Sequence, residues 1–302
     1  MILTELARTG VFIPEVGIGT WNYHAGPVPL RKGLEAGALF IDTAESYESE
    51  LAIGVAVRGM RERVLIATKV SPENFRPFDL RRSVDASLQR MAIDEIDLLQ
   101  LHEPNPTIPL EETMGAVAGL IDSGKVKFAG VSNFSVPQLQ AAQQALKNYP
   151  IVSNQVRYNV VDRTIEKDVL PYCRANSITV IAYCPLARGL DRIRDCDPTG
   201  VIDELVRQTG KSPAQVVLNW CLCQKGVVAI PKGSSVEHVV ENCGASDWRL
   251  NEVQLSLLNS RIRFRRRNRF DIMVREWIPG PLQSLAVRTL EAMPKGLRRR
   301  LR

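Results

Sequence analysis

The sequence predicts an α/β chain, a (β/α)8 barrel of the TIM type carrying an atypical basic C-terminal extension. Three observations predict it. Eight short β-rich runs begin at Val16, Leu39, Val64, Ile96, Lys127, Val152, Thr179 and Val227, with spacings of 23, 25, 32, 31, 25, 27 and 48 residues. A parallel strand needs a crossover of a dozen or more residues, usually helical, so these are the spacings of successive βα units. The runs are nearly continuously apolar, as strands covered on both faces are. Polar residues then follow nearly every run: Thr20, Asp42, Lys69, His102, Ser132 and Asn133, Gln155, Tyr183 and Lys232. A closed barrel gathers all its strand-to-helix loops on one face and predicts this distribution, whereas a doubly wound sheet concentrates polar residues at one switch point. The nucleotide-binding doubly wound sheet also carries an early G-x-G-x-x-G turn, and here Gly17-x-Gly19 runs instead into Trp21 and Asn22.

The intervening segments read as helices. Pro77 or Asp79 opens one whose apolar residues include Leu80, Val84, Leu88 and Met91. Pro109 starts another, carrying Met114, Val117 and Leu120 and ending at Asp122-Ser-Gly124. Ser135 is placed to cap a third with Leu139, Ala142 and Leu146. The wide last gap holds a loop from Leu186 to Thr199 and two helices, roughly Gly200 to Gln208 and Pro213 to Gln224. Val236 to Cys243 and Glu252 to Leu258 are short enough to close the body.

With 302 residues, 45% hydrophobic and 24% charged, the chain can bury one large core. No stretch approaches 18 consecutive apolar residues and Met1 to Leu6 lacks a basic start, so neither a spanning helix nor a secretory leader is expected. The net charge of +6 is not a global property. From Ser260 to Arg302 there are 13 Lys or Arg against 3 Asp or Glu, which leaves the first 259 residues at −4. Nucleic-acid steering by the body is therefore not implied. The expected division is a barrel over residues 1–259 and an arginine-rich extension over 260–302. Three scattered histidines and the Cys221-x-Cys223 spacing argue against a metal site, and six sparse cysteines fit a reducing, cytoplasmic setting.

Asp42, Tyr47, Lys69 and His102 stand out on the barrel's loop face. A lysine ending Leu65-Ile-Ala-Thr-Lys69 needs an anion nearby, and Asp42 on the adjacent run is available. An ammonium beside Tyr47 would stabilise its phenolate and bring its pKa down toward the working range. Such a phenol can protonate a carbonyl oxygen as hydride arrives at carbon, with His102 hydrogen-bonded to the same oxygen.

These residues lie within an ordered series of motifs: Gly17-Ile-Gly19-Thr20-Trp21, Phe40-Ile-Asp42-Thr-Ala44-Glu-Ser-Tyr47 with Ser49-Glu50, Ile66-Ala-Thr-Lys69, Ser87-Leu-Gln-Arg90 and Asp97-Leu-Leu-Gln-Leu-His102. Gly124-Lys125, Gly130-Val-Ser-Asn133-Phe134, Gln155-Val-x-Tyr158-Asn159, Ala182-Tyr183-x-Pro185-Leu186-x-x-Gly189, Ile230-Pro-Lys232-Gly and Glu241-Asn242 follow. The series resembles the aldo-keto reductase family over roughly residues 10 to 258. The resemblance implies a (β/α)8 barrel using a nicotinamide cofactor, with Asp42, Tyr47, Lys69 and His102 as catalytic tetrad and Tyr47 as proton donor. It gives Ser132, Asn133 and Gln155 the nicotinamide carboxamide, and Tyr183 the ring's underside. Pro185, Leu186 and Gly189 go to the pyrophosphate, and Thr20 and Trp21 to the cofactor and substrate mouth. The segment holding Lys232, Ser234, His238, Glu241 and Asn242 takes the adenosine half, where a helix N-terminus suits an anion.

Three departures stand out. Glu48 replaces the glycine that commonly follows the tetrad tyrosine, placing a carboxylate beside Tyr47. His238 stands where arginine often supports the 2′-phosphate, and Gly233 replaces a frequent serine, so NADPH is expected with a modest preference over NADH. The arginine-rich extension matches nothing of the family, and contact with an anionic surface or a protein partner is one reading of it. The expected activity is reversible NADPH-dependent reduction of an aldehyde or ketone by a monomer. The alternative is a cofactor-binding regulatory or accessory subunit using the extension for partner contact.

Overall fold

All eight runs form strands, and they close on themselves. A computed structural model describes residues 1–264. After a short antiparallel hairpin, β1 (Leu3–Glu5) and β2 (Phe12–Pro14), come β3 (Ile18–Gly19), β4 (Phe40–Asp42), β5 (Leu65–Val70), β6 (Ile96–Leu101), β7 (Val126–Ser132), β8 (Ile151–Arg157), β9 (Thr179–Tyr183) and β10 (Val227–Ala229). From β3 to β10 each strand pairs in parallel with the next. A parallel bridge between Val16 and Ala229, with Gly17 N–H donating to the Ala229 carbonyl at 2.9 Å, joins the last strand to the first.

The helices are α1 (Pro27–Glu35), α2 (Glu50–Ala56), α3 (Pro77–Met91), α4 (Leu110–Asp122), α5 (Val136–Leu146), α6 (Val169–Ala175), α7 (Leu190–Arg194), α8 (Val201–Thr209), α9 (Pro213–Leu222), α10 (Val236–Cys243) and α11 (Glu252–Arg261). Ser135 caps α5 in a reciprocal capping box with Gln138, as expected from its position before the apolar periodicity. The segment expected as a plain loop from Leu186 to Thr199 contains α7, whose Ile193 is fully buried. Helix α11 continues three residues past Leu258. The hairpin was not anticipated. Ile13 and, just past β1, Leu6 are fully buried and pack with Phe40, Leu65, Leu98 and Val228 inside the barrel, while Leu3 and Phe12 stay exposed.

The two-residue alternation of a strand builds the site. Phe40, Ala67, Leu98 and Ile181 belong to the inner apolar cluster. Two residues on, one layer nearer the C-terminal ends, stand Asp42, Lys69, Gln100 and Tyr183. The outward residues Ile41, Ile66, Leu99 and Val180 pack in the larger core shared with the helices. An apolar layer thus seals the barrel beneath a polar one.

Among the described residues no helix is long and apolar enough to cross a membrane, and no three His, Cys, Asp or Glu side chains converge as a metal site requires. The extension from residue 265 onward, with the readings attached to its arginines and apolar stretch, lies outside the described residues.

Candidate active site

Asp42 and Lys69 are paired at the centre of the barrel mouth and almost wholly buried. Lys69 Nζ donates to Asp42 Oδ1 at 2.5 Å and to the Thr43 carbonyl at 2.7 Å. The other carboxylate oxygen accepts from Gln155 Nε2 at 2.7 Å and from Gln100 Nε2 at 3.1 Å. A buried charge is costly unless paired and hydrogen-bonded, and these four donations meet that requirement.

Tyr47 reaches the mouth because its loop turns back sharply. Glu45–Tyr47 forms a single 3₁₀ turn after β4, and Glu45 Oε1 pins it to the next loop by accepting from Ser71 N–H at 2.7 Å and Asn74 Nδ2 at 3.0 Å. Glu48 ends the turn in the left-handed region at φ 59°, ψ 14°, with its side chain exposed. That backbone conformation explains why glycine suits the position. The Tyr47 hydroxyl then lies 3.2 Å from His102 Nε2, and Lys69 Nζ stands 5.0 Å from the centre of the phenol ring.

The electrostatics correct one expectation. Burial, followed by the negative charge of Asp42, pushes the Tyr47 hydroxyl well above the pKa of free tyrosine. Lys69 does not pull it down toward neutrality, because Asp42 already holds the ammonium. Burial lowers Lys69 against the opposing pull of Asp42. Burial and then the Lys69 charge push His102 down to about 3. At neutral pH the pair is therefore a protonated phenol beside a neutral imidazole, which can exchange a proton but carries no net charge. Glu48, exposed, is not among the groups that raise Tyr47.

A second cluster adjoins the first. Ser132 Oγ donates to the Gln155 carbonyl at 3.0 Å, Asn133 Nδ2 reaches Ser132 Oγ at 3.1 Å, and the Tyr183 hydroxyl donates to Asn133 Oδ1 at 3.0 Å. Asn133 takes a left-handed φ of 63°, so its amide folds back over the strand end rather than following β7 outward. Ser132, Asn133, Gln155 and Tyr183 thus meet beside Asp42, and their amides and hydroxyls both donate and accept.

The remaining expected residues divide. Thr20 is fully buried and its hydroxyl is committed to the Asp42 carbonyl at 2.9 Å, where it ties β3 to β4. Trp21 is 49% exposed at the rim, with the Arg188 guanidinium 5.0 Å from its ring centre. Pro185, Leu186 and Gly189 lie on the loop after β9, which Cys184, Ala187, Arg188 and Gly189 bend through positive φ.

Lys232, Ser234 and His238 are exposed near the start of α10, and Lys232 Nζ reaches the Asn22 carbonyl at 3.2 Å. The helix is capped by Ser235, which accepts from His238 N–H at 3.2 Å, rather than by Ser234. The Asn242 amide, buried, donates to the Lys232 carbonyl at 3.4 Å, and Glu241 is half-buried. A Cβ on Gly233 would fall 2.3 Å from Val239, so the chain passes α10 at a distance only glycine allows. Exposed cationic and hydroxyl groups at a helix start fit an anion, and the Ser132–Gln155 cluster fits an amide.

Sequence reasoning missed Gln100. The signal was available, since it is the one amide inside Ile96–Leu101, where every other residue but Asp97 is apolar.

Known proteins resemble the chain along most of its length. The model of the Aldo/keto reductase family matches residues 15–263. Methylglyoxal reductase YeaE of Escherichia coli (strain K12) is 35% identical over 260 residues, covering 82% of this chain and 91% of that protein. Among solved structures, the thermostable aldo-keto reductase Tm1743 in complex with the inhibitor epalrestat superposes with a TM-score of 0.79 at 38% identity, covering 86% of this chain and 99% of that one. The aldo-keto reductase from Klebsiella pneumoniae in complex with NADPH gives 0.78 at 35% identity, covering 84% and 96%.

Proposed function

Because the chain belongs to the aldo/keto reductase family, we propose that it reduces a small aldehyde or ketone to the alcohol with NADPH, reversibly and as a monomer. The observation that carries this reading is the half-buried Tyr47–His102 pair set over the buried Lys69–Asp42 pair, a neutral acid and a neutral hydrogen-bonding partner at the mouth of a sealed barrel. The bound cofactor would supply the hydride.

The chain's own residues do the rest. Tyr47 gives its hydroxyl proton to the carbonyl oxygen, and the Lys69–Asp42 pair beside the ring supports that transfer. His102, neutral, donates a hydrogen bond to the same oxygen and fixes the carbonyl. Asp42 holds Lys69 in place.

Ser132, Asn133 and Gln155 hold the nicotinamide carboxamide, and Tyr183 backs the ring. Pro185, Leu186 and Gly189 follow the pyrophosphate. Lys232, Ser234, His238, Glu241 and Asn242 hold the adenosine end. Thr20 and Trp21 lie near the cofactor and the substrate mouth. The solved relative bound to NADPH supports that cofactor. The relative named a methylglyoxal reductase supports a small aldehyde as substrate.

The test is NADPH consumption across a panel of aldehydes and ketones headed by methylglyoxal. Turnover of small aldehydes is expected. A protein that binds NADPH yet reduces none of the panel contradicts the proposal.

A further inference from the structure

Gln100 is fully buried in the barrel interior, where an amide is costly unless its hydrogen bonds are made. It pairs in register with Lys69 on one side and Gly130 on the other, which brings its amide to the Asp42–Lys69 pair. Its Nε2 donates to Asp42 Oδ2 at 3.1 Å, the oxygen that also takes the Gln155 amide at 2.7 Å. Its own oxygen lies 3.4 Å from Gln155 Nε2. The space it occupies is made for it. A Cβ on Gly130 would come within 3.1 Å of Gln100 Cγ and 2.2 Å of Ser153 Oγ.

Asp42 therefore carries one charged donor on Oδ1 and two neutral amide donors, from β6 and β8, on Oδ2. Amide N–H dipoles aimed at a buried carboxylate cancel part of the field it projects, and in a dry interior that field reaches its neighbours with little screening. Gln155, which touches both Asp42 and Gln100, is the proposed carboxamide partner, so the nicotinamide would lie within that field. Its oxidised ring carries a positive charge and its reduced ring none.

We propose that Gln100 is a positioning residue that attenuates the charge Asp42 presents to the nicotinamide, and so sets the relative affinity of the site for NADPH and NADP⁺. This rests on the oxidoreductase reading above. Removing the amide exposes more of the carboxylate's charge, which favours the cationic oxidised ring over the neutral reduced one.

The test is equilibrium binding, read by fluorescence titration of NADPH and of NADP⁺ on the full chain, wild type and Gln100→Met. Methionine keeps the volume and removes the donor. Gln100→Asn, which withdraws the amide by one methylene, is the second variant should the first not fold. The ratio of dissociation constants, NADPH over NADP⁺, is expected to rise about three- to fivefold in either variant. A ratio unchanged within experimental error, or both constants moving by the same factor, overturns the proposal and leaves the oxidoreductase reading standing. If the wild type binds neither nucleotide, that reading fails and the proposal fails with it.

Discussion

The Tyr47 hydroxyl and His102 Nε2 lie 3.2 Å apart, edge to face, although 55 residues separate them in the chain. The contact forms because β4 and β6 flank β5, and because the 3₁₀ turn carries the phenol back over the mouth. It has consequences for stability as well as chemistry.

His102 is held neutral, with its folded pKa down at about 3 against 6.5 when free. A lowered folded value means the unfolded chain binds more protons. The stability involved is intact above pH 6.5 and is lost progressively as pH falls from there toward 3, amounting to a few kcal/mol at the acid end. Urea midpoints measured at pH 7.5 and pH 5 should show wild type losing more stability than His102→Asn over that interval. Equal losses contradict the assignment.

The Asp42–Lys69 pair predicts a non-additive pair of mutations. Lys69→Met leaves a carboxylate buried with only amide donors, and should destabilise by about 3–5 kcal/mol. Asp42→Leu strands the ammonium at similar cost. The double variant should recover much of the loss, and a double-mutant cycle of denaturation free energies measures the coupling.

Glu48→Gly relieves a left-handed residue whose side chain is exposed. Set against glycine's greater freedom in the unfolded chain, the expected gain is about 0.5–1 kcal/mol. Thermal unfolding should rise by about 2 °C.

The raised Tyr47 pKa predicts a flat pH profile. The proton donor stays loaded throughout the neutral range, so kcat/KM for carbonyl reduction should not fall between about pH 6 and pH 9. A descending limb centred near pH 7 would mean the phenol titrates there instead.

Much of this architecture was legible in the sequence. Strands buried on both faces leave continuous apolar runs, and all eight were found. Asp42, Lys69 and His102 stood out as polar residues ending their runs, whereas Tyr47, on the loop after Asp42, joined them through the motif resemblance. The hairpin was not visible, because two three-residue strands lack the alternation and the Asn-Gly signal that mark longer hairpins. Helix α7 spans only five residues, too few to show a period. The direction of the Tyr47 shift was misread because it depends on how deeply the hydroxyl is buried and on where Asp42 lies relative to Lys69, neither of which spacing reveals. The bond from the Thr20 hydroxyl to the Asp42 carbonyl, which ties β3 to β4, was not visible in the motif that holds it.

Tyr47→Phe tests the role of Tyr47 as the acid most directly. The phenyl ring keeps the packing against His102 and removes the proton. Turnover of methylglyoxal with NADPH should fall by at least about a hundredfold, while NADPH affinity by fluorescence titration stays within about twofold. A variant that keeps turnover within a few fold of wild type would show that another group delivers the proton.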